Sequence, residues 1–367
     1  MNRNYGIDLL RIVSMQMIVV LHVLGCGGIL ENLPLFSTKY NVAYLLETFC
    51  YCSVNCFALT SGYVLYGRDI KISKLMELWL QIVFYTIPIL LLFFLFAPSV
   101  INLKIISQSF LPISTGAYWY LSSYFGLYIF IPLLNYGIER MDKKTFSLIL
   151  ISVFVFLICP PIPFHTDPYF LIGGYSMIWL IILYLFGAYI RKYNFGQNIG
   201  ITKGLIGYGL FNVITFFISL LVVNIYHNAY GEIKGWGVFM RYSSPTVLLS
   251  SIFLFLVFVR VKIPVKLINY IILLSPTCLG VYIIHTNFLV FNNLLKDMAI
   301  PLTHYNVFSM LLFALLFACL IYLLCSLIDL IRIYIFKVCG INSLCKKFES
   351  FVINKINKIF PNNPVNI

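Results

Sequence analysis

The chain has 367 residues, of which 61% are hydrophobic and only 10% charged, against about 25% charged in an ordinary soluble domain. Too few polar side chains are present to cover a water-exposed surface, so the composition predicts a protein solvated largely by lipid. The net charge of +13 sits in short clusters between apolar runs, without a motif for reading DNA or RNA, which argues against nucleic acid as a partner.

A helix needs about 20 mainly apolar residues to cross a bilayer. Runs of this kind lie near residues 7–28, 41–66, 75–97, 117–137, 145–162, 171–190, 203–224, 244–260, 268–291 and 306–334. They predict an all-α membrane protein, a bundle of about ten transmembrane helices. The first run is long enough to span and is not closed by a small-residue cleavage site, so it reads as a retained helix. With the N-terminus placed in the cytoplasm, the inner segments hold 19 Lys and Arg, and the outer ones five: Lys39, Lys104, Lys234, Arg241 and Lys296. Arg11, inside the first run, is left out of that comparison. The bias supports an even number of spans with both termini cytoplasmic. Residues 1–336 form the predicted transmembrane domain and 337–367 a basic cytoplasmic tail. Within the tail, Phe348, Phe351, Val352, Ile356, Ile359 and Phe360 recur at helical spacing with lysines between them. That pattern fits an amphipathic helix on the inner leaflet, or a frayed basic end. The ten cysteines lie mostly in apolar runs without a paired metal-ligand spacing, so they read as free thiols, with no metal site.

Ionisable groups inside a bilayer are costly and each needs a reason. In the first helix Arg11 and His22 are separated by ten residues. Eleven helical steps make close to three turns, so both project from one face about 16 Å apart along the axis. Arg11 falls toward the inner side, where it can also snorkel to headgroups or pair with Asp8. His22 falls toward the outer side, where an interfacial histidine without a task is the plain alternative. In the ninth run, Tyr282 and His285 share a face at a depth comparable with His22. Two imidazoles at one depth suggest a polar cavity, although a hydrogen-bonded structural histidine also explains His285. Ser61 stands in Thr60-Ser61-Gly62, not in a nucleophile elbow, and Gly62 fits close helix packing.

Taken together, these segments resemble the acyltransferase-3 family of integral-membrane acyltransferases, of the polysaccharide O-acetyltransferase type. Tyr5-Gly6-Ile7-Asp8-Leu9-Leu10-Arg11 followed by His22 resembles the family's opening, a basic residue, ten residues and a histidine. Phe57-Ala58-Leu59-Thr60-Ser61-Gly62-Tyr63 resembles its Ser-Gly-aromatic element. Tyr118-Trp119-Tyr120-Leu121 with Tyr124 and Pro132-Leu133-Leu134-Asn135 resembles its Trp-aromatic-Leu segment. Gly280-Val281-Tyr282-Ile283-Ile284-His285 resembles its late Gly-x-Tyr-x-x-His element. The matches occur in the family's order over nearly the whole chain.

The resemblance implies an acetyl-CoA-dependent O-acetyltransferase of the bacterial plasma membrane. It would take an acyl group from cytoplasmic acyl-CoA to a hydroxyl of a cell-surface polysaccharide, such as capsule or exopolysaccharide, or its lipid-linked precursor. His22 would be the catalytic histidine and Arg11 its basic partner. His285, Tyr282, Trp119 and Tyr124 would shape the acceptor side, with interfacial packing the alternative for Trp119. Arg68, Lys71 and Lys74 are donor-binding candidates, although Glu77 would repel a phosphate unless it faces away or pairs with Arg68 or Lys74. A neutral imidazole can act as general base or as nucleophile through an acyl-imidazole. The expected partners are acyl-CoA as co-substrate, with no permanently bound cofactor, a carbohydrate acceptor, membrane lipid and a second copy in a homodimer. The rival reading is a transporter or flippase for a glycan or lipid-linked precursor, since Pro88, Pro132, Pro245 and Pro276 can break helices as such proteins do.

Overall fold

The computed structural model describes residues 3–159, 167–231 and 236–359. Two residues used in the sequence reading, Lys234 and Phe360, lie outside the described residues. Among those described the secondary structure is helical, without a strand. This is an all-α membrane protein.

Helices α1 (Tyr5–Leu24), α2 (Thr38–Tyr51), α3 (Ser53–Leu65) and α4 (Ile72–Phe96) come first, followed by α5 (Leu103–Phe110) and α6 (Trp119–Arg140). Next are α7 (Lys143–Ser152), α8 (Met177–Tyr193), α9 (Ile201–Tyr230) and α10 (Pro245–Arg260). The chain continues through α11 (Val265–Leu274), α12 (Cys278–His285), α13 (Val307–Val338) and α14 (Ile341–Ile359). With α2–α3 and α11–α12 each counted as one broken rod, seven of the described helices are long and apolar enough to cross a bilayer. The fifth, sixth and eighth expected spans fall on shorter elements. These are α7 with its π-helical continuation Val153–Ile158, α8 and α10.

Helix ends inside a membrane need polar caps, because lipid offers no partner for free amides. Asn4 caps α1 by accepting from the Gly6 and Ile7 amides at 2.9 and 3.3 Å. Ser37, Ser176 and Asn306 do the same for α2, α8 and α13. The ninth expected span ends earlier than its hydropathy predicts, at His285. The Thr286 hydroxyl donates to Tyr282 O at 2.6 Å, and Asn287 Oδ1 takes the Leu289 amide. These side chains stop the rod and hold the next turn. Pro276 splits the same span in a 3-10 turn, Ser275–Thr277, between α11 and α12.

Helix α1 stands at the centre. It packs on α2, α3, α10, α11, α12 and α13, and 61% of its apolar window is buried in the bundle, against 28% for α13 at the periphery. Small residues allow the closest approaches. A Cβ on Gly62 of α3 would meet Tyr184 O at 2.1 Å, and one on Gly187 of α8 would meet Leu59 O at 2.2 Å. Gly280 of α12 lies against Asp329 of α13, where a Cβ would meet Cγ at 2.2 Å. Asp329 is wholly buried. It accepts from Nε and Nη2 of Arg332, from the Tyr85 hydroxyl at 2.5 Å and from Gln81. The ten cysteines are free thiols.

Candidate functional site

A cavity of about 520 Å³ runs through the bundle between α1 and α6. Its α1 wall is Arg11, Met15, Ile18 and His22, a single helical stripe at steps of four, three and four. Its α6 wall includes Tyr120, Tyr124 and Tyr128, four residues apart and so one above another. Tyr120 and Tyr124 are nearly parallel, with ring centroids 6.4 Å apart. The space is lined by side chains that combine apolar bodies with hydroxyls, which suits an amphipathic substrate.

At the His22 end two imidazoles meet. His22 Nδ1 lies 2.9 Å from His285 Nε2, and His285 Nδ1 lies 2.5 Å from Val281 O. A carbonyl can only accept, so His285 Nδ1 carries its proton and its Nε2 accepts from His22 Nδ1–H. This order leaves Nε2 of His22 with an unshared pair. Phe291 meets the His22 ring edge-on, with centroids 5.2 Å apart. His285 itself is buried behind His22 rather than forming the wall.

Tyr282, Trp119 and Tyr124 all line the cavity. Trp119 stacks with Tyr242 at 5.9 Å, and Tyr242 in turn stacks on Tyr51 at 4.8 Å. Asn55 holds this cluster: it donates to Tyr242 O and accepts from the Trp179 indole. The sequence reading missed Tyr242, which sits in a loop outside any periodic run. Tyr118, which the sequence places in the Trp-aromatic-Leu segment without a role of its own, has a hydroxyl that donates to Ile283 O and accepts from Asn287.

At the opposite end Arg11 reaches Asp8 Oδ1 at 3.2 Å. The buried Asp8 carboxylate also accepts from Arg3 and Ser275. Two guanidinium groups share one carboxylate, so this end keeps an excess positive charge. Of Arg68, Lys71 and Lys74, the structure brings Lys74 to the cavity wall and leaves the other two exposed outside it. Glu77 pairs with Lys74 at 2.7 Å. Tyr128 bonds the Lys71 backbone and thereby ties the start of α4 to the tyrosine wall. The Ser61 hydroxyl donates to Phe57 O of its own helix. Among the described residues no three His, Cys, Asp or Glu side chains gather as a metal site.

The family model described as an acyltransferase domain, that of acyltransferase-3, matches residues 4–330. No curated protein and no solved structure matches the chain.

Proposed function

The chain belongs to the acyltransferase-3 family and is a multi-pass membrane acyltransferase, and from this premise we propose that it is an O-acetyltransferase for a bacterial surface glycan. The donor is acetyl-CoA entering at the Arg11 end, and the acceptor is a sugar hydroxyl at the His22 end. The observation that carries this reading is one cavity with a fixed cation at one end and a base at the other, both on a single stripe of α1. The separation of about 16 Å is near the reach of an extended pantetheine arm.

In the reaction, His22 Nε2 takes the proton of the acceptor hydroxyl as its oxygen attacks the thioester carbonyl. A C–O bond forms, the C–S bond breaks, and the proton passes to the departing thiolate sulfur. The hydroxyls of Tyr120 and Tyr282 stand along the wall as donors for the oxyanion. Arg11 suits the donor's phosphates or carbonyls, because a guanidinium stays charged and binds them in pairs. Trp119 and Tyr242 offer flat apolar faces at the acceptor end. The one chamber holds both reactants together, and proximity itself supplies much of the rate.

The test compares surface-glycan acetylation in cells carrying wild type or His22→Ala, with thioester consumption followed on purified protein. Loss of both supports the reading. Unchanged acetylation with the variant present at normal levels overturns it.

A further inference from the structure

Helix α14, Ile341–Ile359, begins beyond the stretch matched by the family, and the cavity chemistry does not use it. Stepping about 100° per residue, its side chains divide into three sectors. Ile341, Cys345, Glu349, Val352, Ile353 and Ile356 share one sector and are buried or half-buried, as is Asn357 beside that sector. That sector packs on α4 and α13. Its Glu349 carboxylate accepts the Ser73 amide at 3.2 Å, capping α4 one residue before Lys74. Lys71, the residue at the cap position of α4, makes no side-chain cap bond of its own. The glutamate therefore stabilises the first turn of α4 from outside the helix.

A second sector, about 100° wide on the same wheel, holds Leu344, Lys347, Phe348, Phe351, Lys355 and Lys358, all exposed. The Lys355 ammonium stands 5.3 Å from the Phe351 ring centre. A third, polar sector carries Lys346, Ser350 and Asn354. The helix thus presents one side to protein, one of mixed lysine and aromatic character, and one to water. Its sole acid, Glu349, is turned inward, so the exposed charge is entirely positive.

We propose that the lysine–aromatic sector of α14 is a binding surface for anionic phospholipid headgroups, and that lipid bound there holds the helix docked on α4 beside Lys74. Lysines meet the phosphates while Phe351, Phe348 and Leu344 enter the acyl boundary, as in interfacial helices. The lipid contact and the Glu349 cap are on one rigid helix, so charge in the adjacent leaflet sets how firmly the Lys74 mouth is held. Placing this mouth at the donor side rests on the proposed function; the lipid surface does not.

Cys345 gives a readout free of activity. It is fully buried in the docked sector, and burial pushes its thiol pKa up, so a maleimide reaches it chiefly when α14 lifts. Full-length protein in phosphatidylcholine nanodiscs, with and without added phosphatidylglycerol, is labelled with N-ethylmaleimide, and the Cys345 peptide is quantified by mass spectrometry. Each lysine at an anionic surface is worth about fivefold, so phosphatidylglycerol is expected to slow labelling by about tenfold or more. High salt should remove the slowing. K347Q/K355Q/K358Q should lose the lipid dependence, while K346Q, in the water sector, should keep it. Equal labelling in the two lipids overturns the proposal, and so does a triple variant that still responds to phosphatidylglycerol. The wild-type comparison needs no variant to fold, and its outcome is separate from that of the acetylation assay.

Discussion

Two of the sets of ionisable side chains inside the bundle, one around Asp329 and one along the α1 stripe, differ in their unused bonding capacity. Asp329 is wholly buried and fully engaged by Arg332, Tyr85 and Gln81. It faces the backbone of Gly280 rather than the cavity. Arg11 and His22 face the cavity, and His22 commits one nitrogen to His285 while leaving the other open. Both sets place polar atoms within the span of the membrane, which is costly. The saturated set joins α4, α12 and α13. The unsaturated set has a lone pair and a cation left for a substrate. Capacity left over, more than charge itself, distinguishes a reactive site from a structural one.

Variants can break that distinction. The largest effect is expected from His22→Ala, which should lower turnover by about 10²–10⁴-fold, the range of a positioned base, with the thermal transition in detergent unchanged. Asp329→Ala should do the reverse. It strands Arg332 and should cost about 3–5 kcal/mol of stability, measured by thermal or denaturant unfolding, while the protein that remains folded keeps its chemistry. Gly280→Ala sharpens the comparison, because it pushes on Asp329 from the helix that carries His285. Overpacking of this kind costs about 1–3 kcal/mol, and activity per folded molecule should also fall as His285 shifts from His22. The smallest change is expected from Lys74→Ala, since Lys74 is exposed and already paired with Glu77. An exposed pair is worth at most about 1 kcal/mol, so KM for the donor should rise about fivefold or less with kcat unchanged.

Much of this organisation is legible in the sequence. Arg11 and His22 share a stripe because helical periodicity fixes it, and the lining at positions 11, 15, 18 and 22 follows the same arithmetic. The shared depth of His22 and His285 is also readable. Their contact is not, because it depends on how α1 and α12 are turned about their axes. The tyrosines at 120, 124 and 128 had a signal, their spacing of four, which went unused beyond Tyr124. Tyr242 had none, since a loop carries no period. Asp329 was overlooked although an acid in a long apolar helix is itself a signal. The tenth span was expected to end near 334 with Arg332 counted among the inner-loop cations, whereas α13 runs to Val338 and holds Arg332 as the partner of Asp329. Hydropathy reports length and composition, but not which polar group faces a neighbour.

The last link of the histidine pair limits where protons can travel. Val281 O is a backbone carbonyl, with no site to store or forward a proton. The wire that begins at His22 is therefore blind-ended, and His285 acts as a bracket rather than a relay. Whatever His22 Nε2 picks up must leave by that same atom, back into the chamber. Each cycle then closes on itself without exchanging charge across the bilayer, so turnover by this route should be indifferent to the membrane potential.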